Sequence, residues 1–78
     1  MRTILLTEIK QGDRVRIIDT ANVNPIVQQR LVDLDIMEGS VVSVKRILPF
    51  RGPIAIEIDG QCIGIRRQEA LGIQVERI

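Results

Sequence analysis

The stretch PIAIEIDGQCIGIR, residues 53–66, determines the fold of this chain more than any other. Its centre, Asp59-Gly60, has the sequence of a two-residue type I′ turn, in which both central residues adopt positive φ. A slip of one residue would turn the isoleucines to opposite faces, so the pattern predicts a β-hairpin in a single register. Pairing outward from the turn gives five cross-strand pairs: Ile58–Gln61, Glu57–Cys62, Ile56–Ile63, Ala55–Gly64 and Ile54–Ile65.

The composition of the 78-residue chain also favours strands. Its hydrophobic residues include 14 Ile, 8 Val and 6 Leu, against a single aromatic residue, Phe50. The β-branched Ile and Val side chains have a restricted χ1 and pack well on a pleated surface. A chain of this length buries about 60–65% of the surface that it exposes when unfolded, so we expect one small core and one domain over residues 1–78.

Cap and turn residues predict the elements before the hairpin. We expect Thr7 to cap a helical turn that ends at Gly12, where a left-handed residue is needed, and residues 13–19 to form a strand. Asn24-Pro25 predicts the start of a helix, because Asn caps free amides and Pro fits the first helical position. This helix is expected to end near Asp35.

Three further elements complete the predicted fold: a strand over residues 40–47, a helical turn over residues 67–70, and a closing strand. Five short strands, with one short α-helix between strands 1 and 2, predict a mainly β fold. We expect a small, strongly bent five-stranded barrel, whose closure removes exposed strand edges. Outside the hairpin, the residues predicted to face the core recur with strand or helix spacing: Val15, Ile17, Val27, Leu31, Leu34, Val42, Val44, Ile73 and Val75.

The composition argues against several classes of function. The chain has no His, Trp or Tyr, so it has no imidazole base and no standard transition-metal cage, and base stacking lacks its usual aromatic platform. Its 11 basic and 10 acidic residues give a net charge of +1, which is not typical of a nucleic-acid or membrane-surface binder. We therefore expect no enzyme, no cofactor and no nucleic-acid partner. A single cysteine and the lack of a long apolar run predict a cytoplasmic protein that is not inserted in a membrane.

The loop before the hairpin is the best candidate for a binding surface. Its residues Leu48, Pro49, Phe50 and Arg51 combine a stiff backbone, which loses little entropy on docking, with an aromatic ring and an arginine. These two residue types are enriched in the hot spots of protein interfaces. The alternative is that Phe50 folds back and plugs one end of the barrel.

Two pairs of basic residues, Lys45-Arg46 and Arg66-Arg67, are the second candidate. They would contact acidic groups of a partner protein or a nucleotide phosphate. Alternatively, adjacent residues on a strand point to opposite faces, so at most one of each pair joins a patch, and one pairs with Glu57 or Glu69. The predicted partner-binding set joins both candidates: Leu48, Pro49, Phe50, Arg51, Arg46, Arg66 and Arg67.

No metal site is expected from the acidic residues or the cysteine. Asp33, Asp35 and Glu38 crowd the end of the predicted helix, but they lack the ligand pattern of a known calcium loop and are interpreted as solvated charges. Cys62 should face away from the isoleucines of the hairpin, opposite Glu57. Without a His beside it, this thiol is neither a chelate nor an activated nucleophile.

Four segments, in their order along the chain, resemble the FeoA family, named for ferrous iron transport protein A. They are the turn from Ile9 to Gly12, residues 30–40 (RLVDLDIMEGS), residues 48–54 (LPFRGPI), and residues 65–70 followed by 73–75. The resemblance covers nearly the whole chain and rests on the order and spacing of these segments together. One departure is Asp35, where the family usually has Gly and a left-handed residue is needed.

The resemblance implies an SH3-like barrel and a role in bacterial ferrous iron uptake. It implies a cytoplasmic accessory protein that binds or regulates FeoB, a membrane transporter with a cytoplasmic GTP-binding domain. It also implies that FeoB recruits the accessory protein to the inner membrane. The alternative is an SH3-like regulatory domain that contacts an iron-dependent transcription regulator or a second copy of itself. Self-association stays open, since Val41 and Ile47 would either pair subunits or pack under the helix.

Overall fold

A computed structural model describes residues 4–78 of the chain. Its strands form one antiparallel sheet in the order β1-β6-β2-β3-β4-β5. The strands are β1 (Ile4–Leu5), β2 (Arg14–Asp19), β3 (Val41–Ile47), β4 (Ile54–Ile58), β5 (Gln61–Ile65) and β6 (Gln74–Arg77). A 3-10 turn (Leu6–Glu8) follows β1, helix α1 (Pro25–Asp33) joins β2 to β3, and helix α2 (Arg67–Ala70) joins β5 to β6.

The mainly β, SH3-like fold is confirmed, but the strand count and the closure of the barrel were predicted wrongly. The sheet has six strands, and its two outer strands, β1 and β5, are not paired with each other. The additional strand is only two residues long, and it forms because Ile4 and Leu5 pair with Val75 and Gln74 of β6. A strand of two residues is too short to show an alternation of apolar and polar residues, so the sequence does not predict it. It is defined by its pairing with a partner about 70 positions away.

The hairpin has the predicted register at all five pairs, from Ile54 opposite Ile65 to Ile58 opposite Gln61. Asp59 and Gly60 both have positive φ, 51° and 81°, as a type I′ turn requires. On the inward face, Ile54, Ile56, Ile58 and Ile65 are buried, while Ile63 is half-buried and packs against them. The match shows that turn chemistry and hydrophobic pairing together specify this register.

The helix signals are confirmed for α1. The Asn24 side-chain oxygen accepts a hydrogen bond of 2.8 Å from the Ile26 amide, with Pro25 at the first helical position. The apolar stripe of α1 faces the core, where Leu31 is buried and Val27 and Leu34 are half-buried against it. Among the helices of residues 4–78, none has the length and apolar composition needed to cross a membrane.

The predicted cap at Thr7 is wrong. The 3-10 turn begins at Leu6, and the Glu8 side chain accepts a hydrogen bond of 2.9 Å from the Leu5 amide. Leu6 is buried in the core, so the turn starts where this side chain must point inward, and Thr7 lies inside the turn. The left-handed residue predicted at Gly12 is confirmed, with φ 96°.

Asp35 occupies the left-handed position at the end of α1, as the sequence predicts. Its φ is 60°, and the Ile36 amide donates back to the Leu31 carbonyl at 2.8 Å, which closes the helix end. A left-handed conformation costs an L-residue with a Cβ about 1–2 kcal/mol, and Asp reduces but does not remove this cost.

Replacing Asp35→Gly is therefore expected to raise the free energy of unfolding by about 1 kcal/mol. For a domain of this size, the gain corresponds to a rise in Tm of about 4–8 °C, measurable by thermal unfolding followed by circular dichroism. Asp35→Ala is the control, since it removes the carboxylate and keeps the strained Cβ. A stabilisation by Ala as large as that by Gly would contradict a backbone origin of the effect.

Candidate protein interface

The loop between β3 and β4 closes as a tight turn with unusual residues at its tip. The Leu48 amide bonds to the Pro53 carbonyl at 3.2 Å, and the Gly52 amide bonds to the Pro49 carbonyl at 3.1 Å. Between these bonds lie two residues with positive φ, Phe50 at 59° and Arg51 at 60°. This is the backbone pattern of a type I′ turn, which favours Asn-Gly rather than Phe-Arg. The tip is therefore held in a strained conformation.

Gly52 makes this turn sterically feasible. A Cβ at residue 52 would lie 2.9 Å from the Leu48 Cβ and 3.0 Å from the Pro49 carbonyl oxygen. Both atoms belong to the turn itself and cannot move without opening it. The glycine therefore allows the two arms of the loop to approach closely and keeps the tip in place.

Phe50 projects from the tip into solvent, with 99% of its surface exposed. The alternative in which Phe50 plugs the barrel is therefore wrong. The core is already filled by buried Ile, Val and Leu side chains, and Phe50 lies at the tip of a turn that projects from the sheet. The chain thus holds its only aromatic side chain at the end of a rigid hairpin, outside the core.

A β-bulge places the Lys45-Arg46 pair beside this loop. Val44 pairs with Ile56 and Arg46 pairs with Ala55, so Lys45 is the extra residue of β3. Because the bulge interrupts the alternation of the strand, both basic side chains are exposed, and the expected division between two faces is wrong here. The predicted pairing with Glu57 is confirmed for Lys45, whose Nζ lies 3.3 Å from its carboxylate.

Arg66 and Arg67 line one cavity of about 270 Å³ together with Arg51 of the loop. The expectation that at most one of this pair joins a patch is wrong, because neither residue lies on a strand. Arg66 precedes α2 and Arg67 is its first residue, so the alternation of a strand does not apply to them. The fold therefore brings Arg51 together with two predicted arginines that follow it by 15 and 16 positions in sequence.

A larger cavity of about 400 Å³ shares Arg66 and Gln68 with the smaller one. It is lined by the segment before α1, including Val23 and Asn24, and by Leu71 and Gly72 after α2. Its walls combine apolar, amide and carboxylate groups without a single dominant chemistry. The smaller cavity is the more informative of the two, because its charge is of one sign.

Glu69 lines the larger cavity and anchors α2. Its carboxylate accepts hydrogen bonds of 2.8 and 2.6 Å from the Arg30 guanidinium and 2.9 Å from the Arg66 amide. Arg30 also donates to the Gly64 carbonyl at 3.3 Å, so α1, β5 and α2 are joined at one point. The predicted pairing of Glu69 with the 66–67 pair is therefore wrong: the ion pair is with Arg30.

Burial raises the pKa of the Glu69 carboxyl, but the hydrogen bonds from the Arg66 amide and from Arg30, with the charges of both arginines, outweigh it. The pKa therefore lies below the ordinary value of 4.5. Stability from this carboxylate is complete above that value and is lost as the pH falls through the lowered pKa.

Glu69→Gln is expected to lower the free energy of unfolding by about 1–3 kcal/mol at pH 7. The difference in the free energy of unfolding between the variant and the original chain should be smaller at pH 3, because protonation of Glu69 then weakens its contacts in the original chain as well. Urea unfolding at both pH values measures it. Glu57→Gln is the matched control: its ion pair is exposed, so we expect a change below about 0.5 kcal/mol. An equal loss by Glu69→Gln at both pH values would contradict the charge-based explanation.

The acidic residues and the cysteine do not assemble a site. Among residues 4–78, no three His, Cys, Asp or Glu side chains lie close enough to hold a metal ion. The Asp33 carboxylate accepts a hydrogen bond of 3.0 Å from the side-chain amide of Gln29 on the same helix. Cys62 is exposed and lies opposite Glu57, on the face predicted for it.

The sequence indicated all three arginines of the smaller cavity but not the cavity itself. Pro53 and Gln68 also line it, and neither was a candidate. Pro53 was visible as part of the stiff loop, but no local pattern indicates which face of α2 lies beside that loop. This packing is tertiary, and it depends on where the hairpin ends relative to β3.

A family model described as FeoA domain matches residues 4–77 of the chain. No curated protein matches the sequence significantly. Among solved structures, the chain is similar to the FeoA protein from Chlorobium tepidum, with 35% identity over 96% of this chain and 70% of that chain and a TM-score of 0.88. A FeoA-like protein from Clostridium acetobutylicum is 26% identical, over 100% of this chain and 90% of that chain, with a TM-score of 0.86.

The same fold occurs inside a larger protein. A manganese-dependent transcriptional repressor in complex with manganese has a TM-score of 0.90 and 20% identity. The match covers 100% of this chain and 38% of the repressor chain. At this identity the likeness concerns the fold alone.

Proposed function

The chain belongs to the FeoA family, which is associated with ferrous iron transport, and from this membership we propose that it is an accessory protein that binds the cytoplasmic part of a FeoB-type membrane GTPase-transporter. The proposed role is to bind or regulate this partner from the cytoplasm, without insertion into the membrane. Recruitment to the inner membrane would follow from binding.

The observation that carries this proposal is the exposed ring of Phe50. An aromatic side chain that is 99% exposed contributes little to the core, yet its turn holds it in a conformation that costs about 1–3 kcal/mol. Burial of such a ring in a partner is favourable because it removes a large apolar area from water, and the rigid turn loses little entropy on docking. These properties are those expected of an interface anchor.

The arginines around the loop support the same surface. Arg46 and Arg51 are exposed beside Phe50, and Arg66 and Arg67 face Arg51 across the smaller cavity. Arginine forms bidentate hydrogen bonds with carboxylates and is enriched in interface hot spots. The proposed interface, termed here the Phe50 surface, therefore consists of residues 46, 48–51, 66 and 67.

Calorimetric titration of the purified chain with the purified cytoplasmic domains of its FeoB-type transporter tests the proposal. The titration is run without nucleotide, with GDP and with a non-hydrolysable GTP analogue. We expect saturable binding in at least one of these states. Lack of binding in all three, with the fold of both proteins confirmed by circular dichroism, would contradict the proposal.

A second candidate function is an SH3-like regulatory domain that contacts an iron-dependent transcription regulator or a second copy of itself. The observation in its favour is that a metal-dependent repressor contains the same fold. It predicts binding to a purified regulator of that class, or a dimer in sedimentation, with the transporter domains left unbound. The same set of purified proteins therefore discriminates the two candidates.

A further inference from the structure

All charged residues that line the smaller cavity beside the loop are basic. Three arginines line it, Arg51 from the turn and Arg66 and Arg67 from the start of α2, together with Pro53 and Gln68. No carboxylate is among these lining residues. Three positive charges around a volume of about 270 Å³ repel one another unless an anion lies between them.

Three arginines elsewhere in the described residues form ion pairs, whereas Arg14 and Arg46, like the arginines of the cavity, form none. Arg16, Arg30 and Arg77 each contact a carboxylate, at 2.8, 2.6 and 3.3 Å. Within residues 4–78, none of the three arginines of the cavity has such a partner. Glu69, the acidic residue next to Gln68, is already held by Arg30 and by the Arg66 amide.

One donor group at the cavity is both buried and unsatisfied. The Nε of Arg67 has less than 1 Å² of exposed surface and no hydrogen-bond acceptor among the described residues. A buried donor on a charged group is unfavourable until it meets an acceptor. Because less than 1 Å² of this Nε is exposed, an oxyanion in the cavity reaches it only after the Arg67 side chain moves, and the planar guanidinium then offers two parallel donors to the oxyanion.

The size of the cavity limits what it can hold. Sites that enclose drug-sized ligands occupy about 300–1,000 Å³, and a volume of about 270 Å³ lies just below this range and has room for one small charged group. Carboxylate and phosphate groups both have this size and charge. Arg51 lies next to Phe50 in the turn, so an acidic group bound here would sit beside the apolar contact of the Phe50 surface.

We propose that this cavity is an oxyanion site, and that in the complex its occupant is the carboxylate of an acidic side chain of the protein partner. The identity of the partner rests on the proposed function, whereas the binding of an oxyanion does not. The site would set the register of the partner segment: an acidic residue in the cavity and an apolar pocket over Phe50.

The oxyanion site is tested on the full chain alone, by NMR of the arginine Nε–Hε groups. The probes are inorganic phosphate and glutarate, with sodium chloride at matched ionic strength as the control. Arg67 Nε–Hε and the amides of residues 66–68 are expected to shift saturably with both probes, and Arg16 is not. The absence of saturation, or an equal response to chloride, would overturn the proposal.

One variant and its control distinguish the planar donor geometry of the Arg67 guanidinium from its charge. Arg67→Lys keeps the charge but loses the planar donors, and it should abolish the response of the amides of residues 66–68 while Tm stays unchanged. Arg14→Lys, at an exposed position of β2, is the matched control, and it should respond like the original chain. A full response in Arg67→Lys would overturn the assignment of the site to this guanidinium.

Competition identifies the source of the oxyanion. At constant ionic strength, phosphate at ten times its own Kd should weaken binding of the transporter domain about tenfold, because both occupy the cavity. Shifts with phosphate but no competition would overturn the assignment to a partner side chain and leave the proposed function intact. Partner binding without any anion response would overturn the oxyanion site alone, whereas an anion response without partner binding would contradict only the proposed function.

Discussion

Phe50→Ala is expected to weaken binding to the transporter domain at least about 30-fold, the effect of losing a hot-spot residue worth about 2 kcal/mol. The free energy of unfolding should change by less than about 0.5 kcal/mol, because the ring is 99% exposed and makes no core contact to lose. Alanine has the same Cβ as phenylalanine, so the strain of the positive φ is kept. Calorimetry measures the first quantity and urea unfolding the second.

Two control variants make this result specific. Ile26→Ala removes another exposed apolar side chain, 81% accessible on α1 and outside the Phe50 surface, and it should leave binding unchanged. Phe50→Asn combined with Arg51→Gly installs the favoured type I′ residues. This double variant should be about 1–2 kcal/mol more stable than the original chain and still fail to bind. Normal binding by Phe50→Ala would contradict the role of the ring.

Ile56→Ala is expected to lower the free energy of unfolding by about 2–5 kcal/mol, the cost of a cavity in a packed core. Ile56 is 1% exposed and lies in the middle of β4, between Val44 of β3 and Ile63 of β5. A domain of this size has a total stability of only about 4–12 kcal/mol. The variant should therefore be partly unfolded at 37 °C, which urea unfolding at a lower temperature can quantify.

The same substitution on the surface provides the control for the core. Ile26→Ala should change the free energy of unfolding by less than about 0.5 kcal/mol, because the side chain is exposed and alanine has the higher helix propensity. A difference of less than about 1 kcal/mol between Ile56→Ala and Ile26→Ala would contradict the register of the hairpin, which places residue 56 in the core.

Local chemistry explains why much of the fold was predictable. The turn at Asp59-Gly60, the cap at Asn24 and the left-handed residues Gly12 and Asp35 each depend on side chains within a few positions. The inward residues of β2 and β3 follow from the two-residue period of a strand. Signals of this kind are contained in the sequence itself.

Tertiary pairing explains what was predicted wrongly. The two-residue β1 exists only through β6, and the sheet stays open because β5 leads into α2 instead of pairing with β1. The bulge at Lys45 depends on the register between two hairpins. Whether Phe50 points in or out depends on the backbone of its turn, since the composition alone permits both.

The candidate site was also predicted only in part from the sequence. The loop and the arginines were identified from residue types, which carry the chemistry of recognition. Their assembly around one cavity was not, because it needs the position of α2 beside the loop. Glu69 was expected to pair with a neighbouring arginine, yet Arg30 reaches it from α1, at 39 positions along the chain.

The most direct test of the Phe50 surface is a titration of the ¹⁵N-labelled chain with the unlabelled cytoplasmic domain of the transporter, followed by NMR. The proposed interface predicts that the amides of residues 46–48, 50–52 and 66–68 change most, and that those at the exposed start of α1, around Ile26, stay unchanged. Binding with the largest changes on α1, and none in the loop, would contradict it.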